Sequence, residues 1–484
     1  QELEQFLWKA ADILRGAVRP ERYGTYMLPL LFFMRLSDVW MEEYEQALQK
    51  YKNKEAAKQK FVHRFMNPEG CFWTDVRKET KNPGQRLNTV LEKIAKSNPE
   101  LEGVINRTDF NQQEEIPQDR LIKLIEHFSQ YTLGNSNVPA DILGNAYEYL
   151  LKQFNEIAPQ RAGEFYTPRE VVRVMVQILN PTEGEEVYDP CCGSGGMLIV
   201  SYYHLASQGK NPKKLFLYGT ELNAETWAMA KMNVTLHGLE AEIKQGDTLA
   251  DPKFLEGAGL KRFDIAITNP MWNQDGYREV IRNDKLGRFD YGIPPDSAAD
   301  WGWIQHMLAS LKPKGRMGIV LDQGALFRGG AEGHIRKKIV EEDLIECVVA
   351  LPEKIFYNTG APGCLIFLNK NKSKERNGKL LFIYAAKGFE KLRNMNKLRG
   401  EDIDRIVNAQ RRFADIVRYA GVVDLDKIRE NEYNLSVTRY VNVFEEDEPI
   451  DVAQAWGQLK KGEAERVVID DKLKGYLKEL GYEQ

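Results

Sequence analysis

A chain of 484 residues and 55.6 kDa is too long for one ordinary hydrophobic core, so two or three domains are expected. It is 43% hydrophobic and 29% charged, and its longest strongly apolar stretch, YMLPLLFFM, falls far short of the ~20 residues that span a bilayer. A net charge of −4 and a pI of about 6.1 leave no basic excess, so any grip on nucleic acid must come from local patches or from a partner. No export leader is read at the start, and the five cysteines contain no CxxC pair. The six histidines form no HxxxH. These features predict a cytoplasmic protein of the reduced cytosol, with no membrane association, no disulfide framework and no metal site.

Along the chain, residues 1 to about 155 read as helices: LEQFLWKAADILRG, then YGTYMLPLLFFMRLSDVWMEEYEQALQKY, QDRLIKLIEHFSQY and DILGNAYEYLLKQF all carry apolar residues at helical spacing. From about residue 160 the texture changes. EEVYDP, KLFLYGTEL, AEIKQGD, FDIAITNP, GRMGIVLD, LIECVVALP and GCLIFLNK read as strands, with REVVRVMVQILN, AETWAMAKMNVTLHG and WGWIQHMLASLK as helices between them. That alternation predicts an α/β domain over 156–400, Rossmann-like, with a mostly parallel, doubly wound sheet. The polar run NKNKSKERNGK reads as a solvated hairpin loop. Residues 401–484 read as a helical tail, a surface appendage or docking element. The expected domains are thus an all-α N-terminal one (1–155), the α/β one (156–400) and the tail.

Four motifs carry chemistry. DPCCGSGG, from Asp189 to Gly196, follows a strand and opens a helix. Glycines there let backbone approach a ligand at a helix N-terminus. The order is not GxGxxG, and an acid ahead of the glycines disfavours a pyrophosphate and suits a cationic ligand. Glu221, ending the next strand, sits where doubly wound folds place an acid on ribose hydroxyls. Asp247 ends the third strand on the same rim. Together these acids fit a nucleoside with a positive centre, such as S-adenosylmethionine. Upstream, GEFYTP precedes a helix, with Thr167 as its expected cap and Pro168 near its start.

The fourth motif is ITNPMW. The amino nitrogen of adenine is a poor nucleophile, because its lone pair is delocalised into the ring. Neutral acceptors, the Asn269 side-chain oxygen and the Pro270 carbonyl, can take its hydrogen bonds as it pyramidalises. A base must leave the duplex to be reached, and Trp272 offers a ring to stack on it, worth ~1–3 kcal/mol.

FYTP, DPCCGSGGM and NPMW, in this order, resemble the amino-group DNA methyltransferases of the gamma arrangement. More narrowly, with LGNAYEYLLKQF, GEFYTPREVV, LDQGALFRGG and NLSVTRYV, the chain resembles the modification subunit of type I restriction–modification systems over nearly its whole length. The resemblance implies an adenine N6-methyltransferase using S-adenosylmethionine on double-stranded DNA. It also implies two modification subunits with one specificity subunit that chooses the site, to which a restriction subunit can add. Carried over by motif, Phe165, Tyr166, Thr167, Pro168, Asp189, Gly193, Ser194, Gly195, Gly196 and Glu221 contact cofactor, with Asp247 near its adenine. Asn269 and Pro270 bind the target amino group and Trp272 stacks on the base. Met271 departs from the usual Asn-Pro-Pro-aromatic pattern. The rival readings are a catalytically impaired scaffold subunit, a protein glutamine methyltransferase and a nicotinamide-linked oxidoreductase. The long segment after Trp272, from Asn273 to Asp300, reads as a mobile loop over DNA or a solvated insertion.

Overall fold

In the computed structural model the described residues are 2–157, 167–356, 359–393, 395–443 and 452–482. They fall into two units, Gln1–Val441 and Asn442–Gln484. The sheet of the first unit is built from β1 (Glu186–Asp189), β2 (Phe216–Glu221), β3 (Glu242–Gln245), β4 (Phe263–Thr268), β5 (Leu311–Asp322), β6 (Ile345–Ala350), β7 (Gly363–Asn369), β8 (Lys379–Tyr384) and β9 (Ala420–Asp424). Their order is β9-β8-β6-β7-β5-β4-β1-β2-β3, and all run parallel except β7 and β9. Helices cover the faces, so central strands such as β6 are buried at every residue, which is why they read as unbroken apolar runs.

After β1 the chain winds outward through β2 and β3, then returns to lay β4 on the other side of β1. The carboxyl ends of β1 and β4 therefore flank the point where the winding reverses, the place where open α/β sheets bind ligands.

The first core is helical. Helices α1 (Glu2–Leu14), α2 (Tyr23–Tyr51), α3 (Pro83–Ser97), α4 (Gln118–Phe128) and α5 (Ala140–Ile157) bury Leu7, Tyr26, Phe32, Phe33, Leu91, Leu124 and Tyr147 together. The second core lies under the sheet, with α6 (Arg169–Leu179), α7 (Gly196–Ser207) and the helices that follow. One helix belongs to both. In α8 (Ala224–Leu236), Ala228, Met232 and Leu236 face the helical core, while Ala230 and Val234 face the sheet. Two apolar stripes at i, i+4 spacing make α8 the rivet between the two cores.

Two expectations are corrected here. The sheet continues past residue 400: α9 (Gly400–Arg412) packs on α6, and β9 pairs with β8, within a stretch read as a helical tail. The strand was missed because AGVVD is short and flanked by charged helical sequence. Nor is NKNKSKERNGK a hairpin loop. β7 and β8 are separated by β6, so the run crosses over one strand. Nor is it wholly solvated: Lys372 is buried in an ion pair with Asp343 (2.6 Å), and Arg376 pairs with Glu346 (3.2 Å). In the second unit, the helix from Val452 to Glu479 exposes Trp456, Leu459, Leu473 and Tyr476. No helix among the described residues is long and apolar enough to cross a membrane.

The contact of α5 with α8 needs a glycine. A Cβ on Gly144 would lie 2.3 Å from the ring of buried His237, just beyond the end of α8. Alanine is the better helix former by about 1 kcal/mol, yet overpacking here should cost about 1–3 kcal/mol. Gly144→Ala is therefore expected to lower the urea midpoint, which equilibrium unfolding followed by circular dichroism measures.

Candidate active site

The turn after β1 is shaped by two left-handed residues, Gly193 (φ 52°) and Gly195 (φ 82°), the latter capping α7. The amide of Gly193 donates to the Glu221 carboxylate at 3.0 Å, and the amide of Asn223 donates to its other oxygen at 2.8 Å. Glu221 thus joins the glycine turn to the end of β2. The Asn233 amide of α8 holds the Ser194 carbonyl at 2.8 Å.

Asp189 is buried. Its Oδ1 accepts from the Thr268 hydroxyl (2.7 Å) and the Cys191 amide (3.1 Å). Burial pushes its carboxyl up to about 7, with the Glu221 charge adding to the rise and the two hydrogen bonds opposing it. Asp247 closes an Asx turn with the amides of Leu249 and Ala250, and its Oδ2 accepts from the Tyr277 hydroxyl at 2.9 Å.

Asn269 ends β4. Its amide nitrogen donates to the Thr167 hydroxyl at 2.9 Å, which fixes the orientation of the amide. Its oxygen accepts the indole N–H of Trp272 at 3.1 Å. The Trp272 ring meets Phe356 edge to face, centroids 4.9 Å apart. Arg169, at the start of α6, pairs with buried Glu148 of α5 at 3.1 Å, so the segment carrying Thr167 and Pro168 is braced on the helical half. Thr167 serves here as a partner of Asn269. The N-cap of α6 is Pro168 and not Thr167, so the expected cap is corrected.

A cavity of about 300 Å³ opens on this rim. Its walls include Gly193, Ser194, Glu221, Asp247, Asn269 and Met271, and the helical half contributes Pro20, Gly24, Leu151 and Phe154. A smaller hollow beside it touches Thr167, Asp189, Gly196 and Asn269. The structure therefore brings together Thr167, Asp189, Gly193, Ser194, Gly195, Gly196, Glu221, Asp247 and Asn269, with Pro270 and Trp272 on the same loop. Pro168 lies one residue from Thr167, at the start of α6. Phe165 and Tyr166 lie outside the described residues.

The segment after Trp272 differs from the expected loose loop. Residues 278–282 form a helical turn that buries Ile281. Arg288, also buried, pairs with Asp284 (2.7 Å) and donates to the carbonyls of Thr248 (2.9 Å) and Leu249 (2.7 Å). Tyr277 and Trp303, which line the cavity, come from this region and its following helix. Sequence reading missed them, since nothing local distinguishes them from ordinary aromatic residues.

The comparisons with known proteins bear on this geometry. Residues 138–449 match the family of N-6 DNA methylases, and residues 3–128 match the HsdM N-terminal domain. The chain belongs to the N-6 DNA methylase family, as a type I restriction–modification methylase subunit. It is 38% identical, over 98% of its length and 84% of the relative's, to the type I restriction enzyme MjaVIII methylase subunit of Methanocaldococcus jannaschii. To the HindI methylase subunit of Haemophilus influenzae it is 32% identical, over 82% of this chain and 92% of that one. Among solved structures, the type I methyltransferase subunit from Streptococcus thermophilus superposes with a TM-score of 0.81 at 29% identity, covering 91% of this chain and 99% of that one. The protein is thus an adenine-specific DNA methyltransferase by family.

The raised Asp189 carboxyl has a pH consequence. An acid whose folded pKa lies above its unfolded value binds more protons when folded, so stability falls as pH rises between the two values. That window runs from 3.8 to about 7. Asp189→Asn is expected to flatten this fall, so denaturation midpoints of the two proteins should lie close at the acid end of the window and separate as pH rises, the variant's becoming the higher.

Proposed function

We propose that this methylase subunit transfers the methyl group of S-adenosylmethionine to the exocyclic nitrogen of an adenine flipped out of double-stranded DNA. The observation that carries the reading is Asn269: a neutral amide at the end of β4, oriented by Thr167, with its oxygen turned to an aromatic ring and its side chain walling a ligand-sized cavity.

The residues present suit such a cofactor. Glu221 and Asp247 offer carboxylates for ribose hydroxyls and an adenine amino group, while Leu222, Met229 and Phe154 supply apolar wall for a purine. The glycine turn, with Thr167 and Asp189 beside it, would receive the amino-acid end. Phe165, Tyr166 and Pro168 are assigned to the same cofactor by motif. Bound there, the sulfonium supplies an activated methyl group. Asn269 and the Pro270 carbonyl accept hydrogen bonds from the target amino group, and these strengthen as positive charge develops on its nitrogen. Trp272 stacks on the extruded base once its indole leaves the Asn269 oxygen. Orientation of the two reactants does the remainder, and no covalent enzyme intermediate is required.

Target choice belongs, in this reading, to a specificity subunit, which accounts for the absence of a basic excess here. Two methylase subunits would join one specificity subunit in the cytoplasm, and a restriction subunit would complete the assembly. The helix from Val452 to Glu479, with its exposed Trp456, Leu459 and Leu473, suits docking to such partners.

The test is transfer of labelled methyl from S-adenosylmethionine to unmodified genomic DNA, with the chain alone and with its specificity partner. Label is expected as N6-methyladenine only with the partner. Asn269→Ala should lower the transfer rate by roughly 100-fold or more. Tyr277→Phe, which releases Asp247, should weaken cofactor binding in equilibrium titration while leaving the fold intact. Label at another atom, or undiminished label with Asn269→Ala, would sink the reading.

A further inference from the structure

Behind the Asn269–Trp272 loop lies a cluster of charges that the proposed reaction does not use. Arg328 sits among three carboxylates. Its Nε donates to Glu332 at 2.6 Å, its Nη1 to Asp322 at 3.1 and 3.2 Å, and its Nη2 to Asp300. Asp300 and Glu332 are buried, at 0% and 2% exposure. The four residues come from different places: Asp322 ends β5, Asp300 opens the helix Asp300–Ala309, and Glu332 lies in the helix Gly330–Glu341. Arg328 is in the loop before that last helix, held there because Arg336 donates to its carbonyl at 2.9 Å.

The site admits no bulk. A Cβ on Gly324 would lie 2.4 Å from the Arg328 guanidinium and 2.5 Å from the Asp322 carboxylate. Three acids on one arginine is more negative charge than a buried pair needs. The surplus acceptors are in use, however: the Gly324 amide takes one at Asp322, and Asn273 takes one at Asp322 and one at Asp300.

Asn273 follows Trp272 directly and has left-handed backbone (φ 52°). Its amide donates to Asp300 at 3.0 Å, and its side-chain nitrogen donates to Asp322 at 2.9 Å. Both bonds end on carboxylates that Arg328 holds. Charge-assisted bonds of this kind are short and directional. Upstream, Asn269 is fixed by Thr167. The loop is therefore gripped at both ends, and between the grips stands Met271 where a second proline would have stiffened the backbone.

We propose that the Arg328 cluster is the positioning element of the target-base loop, gripping it through Asn273 and standing in for the rigidity that Met271 lacks. Arg328, Asp300 and Asp322 touch neither substrate nor cofactor in this account. They act through Asn273 on the placement of Pro270 and Trp272. The inference rests on the reading of Asn269, Pro270 and Trp272 as contacts to the target base.

Asn273 is exposed, so its replacement does not endanger the fold. Asn273→Asp keeps the shape and tolerates left-handed backbone, but sets a carboxylate against Asp322. Adding Asp322→Asn reverses the polarity of the bond: the amide of the new asparagine donates to the new aspartate, while its oxygen still accepts from Arg328. The experiment measures hydrogen exchange over residues 271–277 and single-turnover methyl transfer in the DNA-methylating complex. Asn273→Asp should speed exchange and slow transfer about tenfold, with cofactor Kd unchanged. The double variant should restore both. Wild-type exchange in Asn273→Asp, faster exchange with undiminished transfer, or failure of the swap to restore either would overturn the inference. If the wild-type complex transfers no methyl to DNA, the reading of function falls instead, and exchange in the swap pair still decides whether the cluster grips the loop.

Discussion

One hydrogen bond holds the functional rim in register: the Thr268 hydroxyl, at the end of β4, donates to the buried carboxyl of Asp189, at the end of β1. These two strands flank the reversal of the winding, so the bond joins the glycine-rich turn to the Asn-Pro loop across the ligand crevice. The same carboxyl receives the Cys191 amide and so shapes the turn that follows it. A group buried this deeply stays near neutrality only because its charged form is expensive. The carboxyl is accordingly displaced far from its ordinary range, and the rim's geometry carries a pH signature.

From that tie the other contacts radiate. Glu221 fastens the glycine turn to β2, Asp247 fastens β3's loop to Tyr277, and Asn269 fastens β4 to Thr167. The carboxylates of Asp189, Glu221 and Asp247 and the amide of Asn269 all have protein partners before any ligand arrives. Such a site is preorganised: little ordering entropy remains to be lost when substrate binds. One bond belongs to a resting arrangement. The Trp272 indole holds the Asn269 oxygen, which in the proposed reaction accepts from the target amino group, so entry of a base would require this ring to turn.

The helical half is more than an appendage. Through α8 it shares core with the sheet, and through Pro20, Gly24, Leu151 and Phe154 it forms one wall of the cavity. A pair of charges, Glu148 and Arg169, ties it to the segment that carries Thr167. Separation of the rim cavity from the helical half is therefore artificial at the level of contacts.

The sequence by itself determined the class of sheet and the strand ends whose candidate residues Asp189, Glu221, Asp247 and Asn269 share one rim. Strong periodicity, glycine placement and the order of three motifs are local signals, and local signals survive in one dimension. Tertiary structure decided the rest. Tyr277, Arg288 and Trp303 look like ordinary loop and helix residues until the chain folds the segment after Trp272 back onto the rim. The strand at 420–424 is too short and too flanked by charge to be read alone, and exists because β8 offers it an edge. The carboxylates around Arg328 are scattered from residue 300 to 332, and only the meeting of a strand end with two helices shows that they hold one asparagine beside the Asn269–Trp272 loop. Long-range pairing of this kind has no periodicity to announce it, because it is set by which elements pack together and not by the spacing of residues within any one of them.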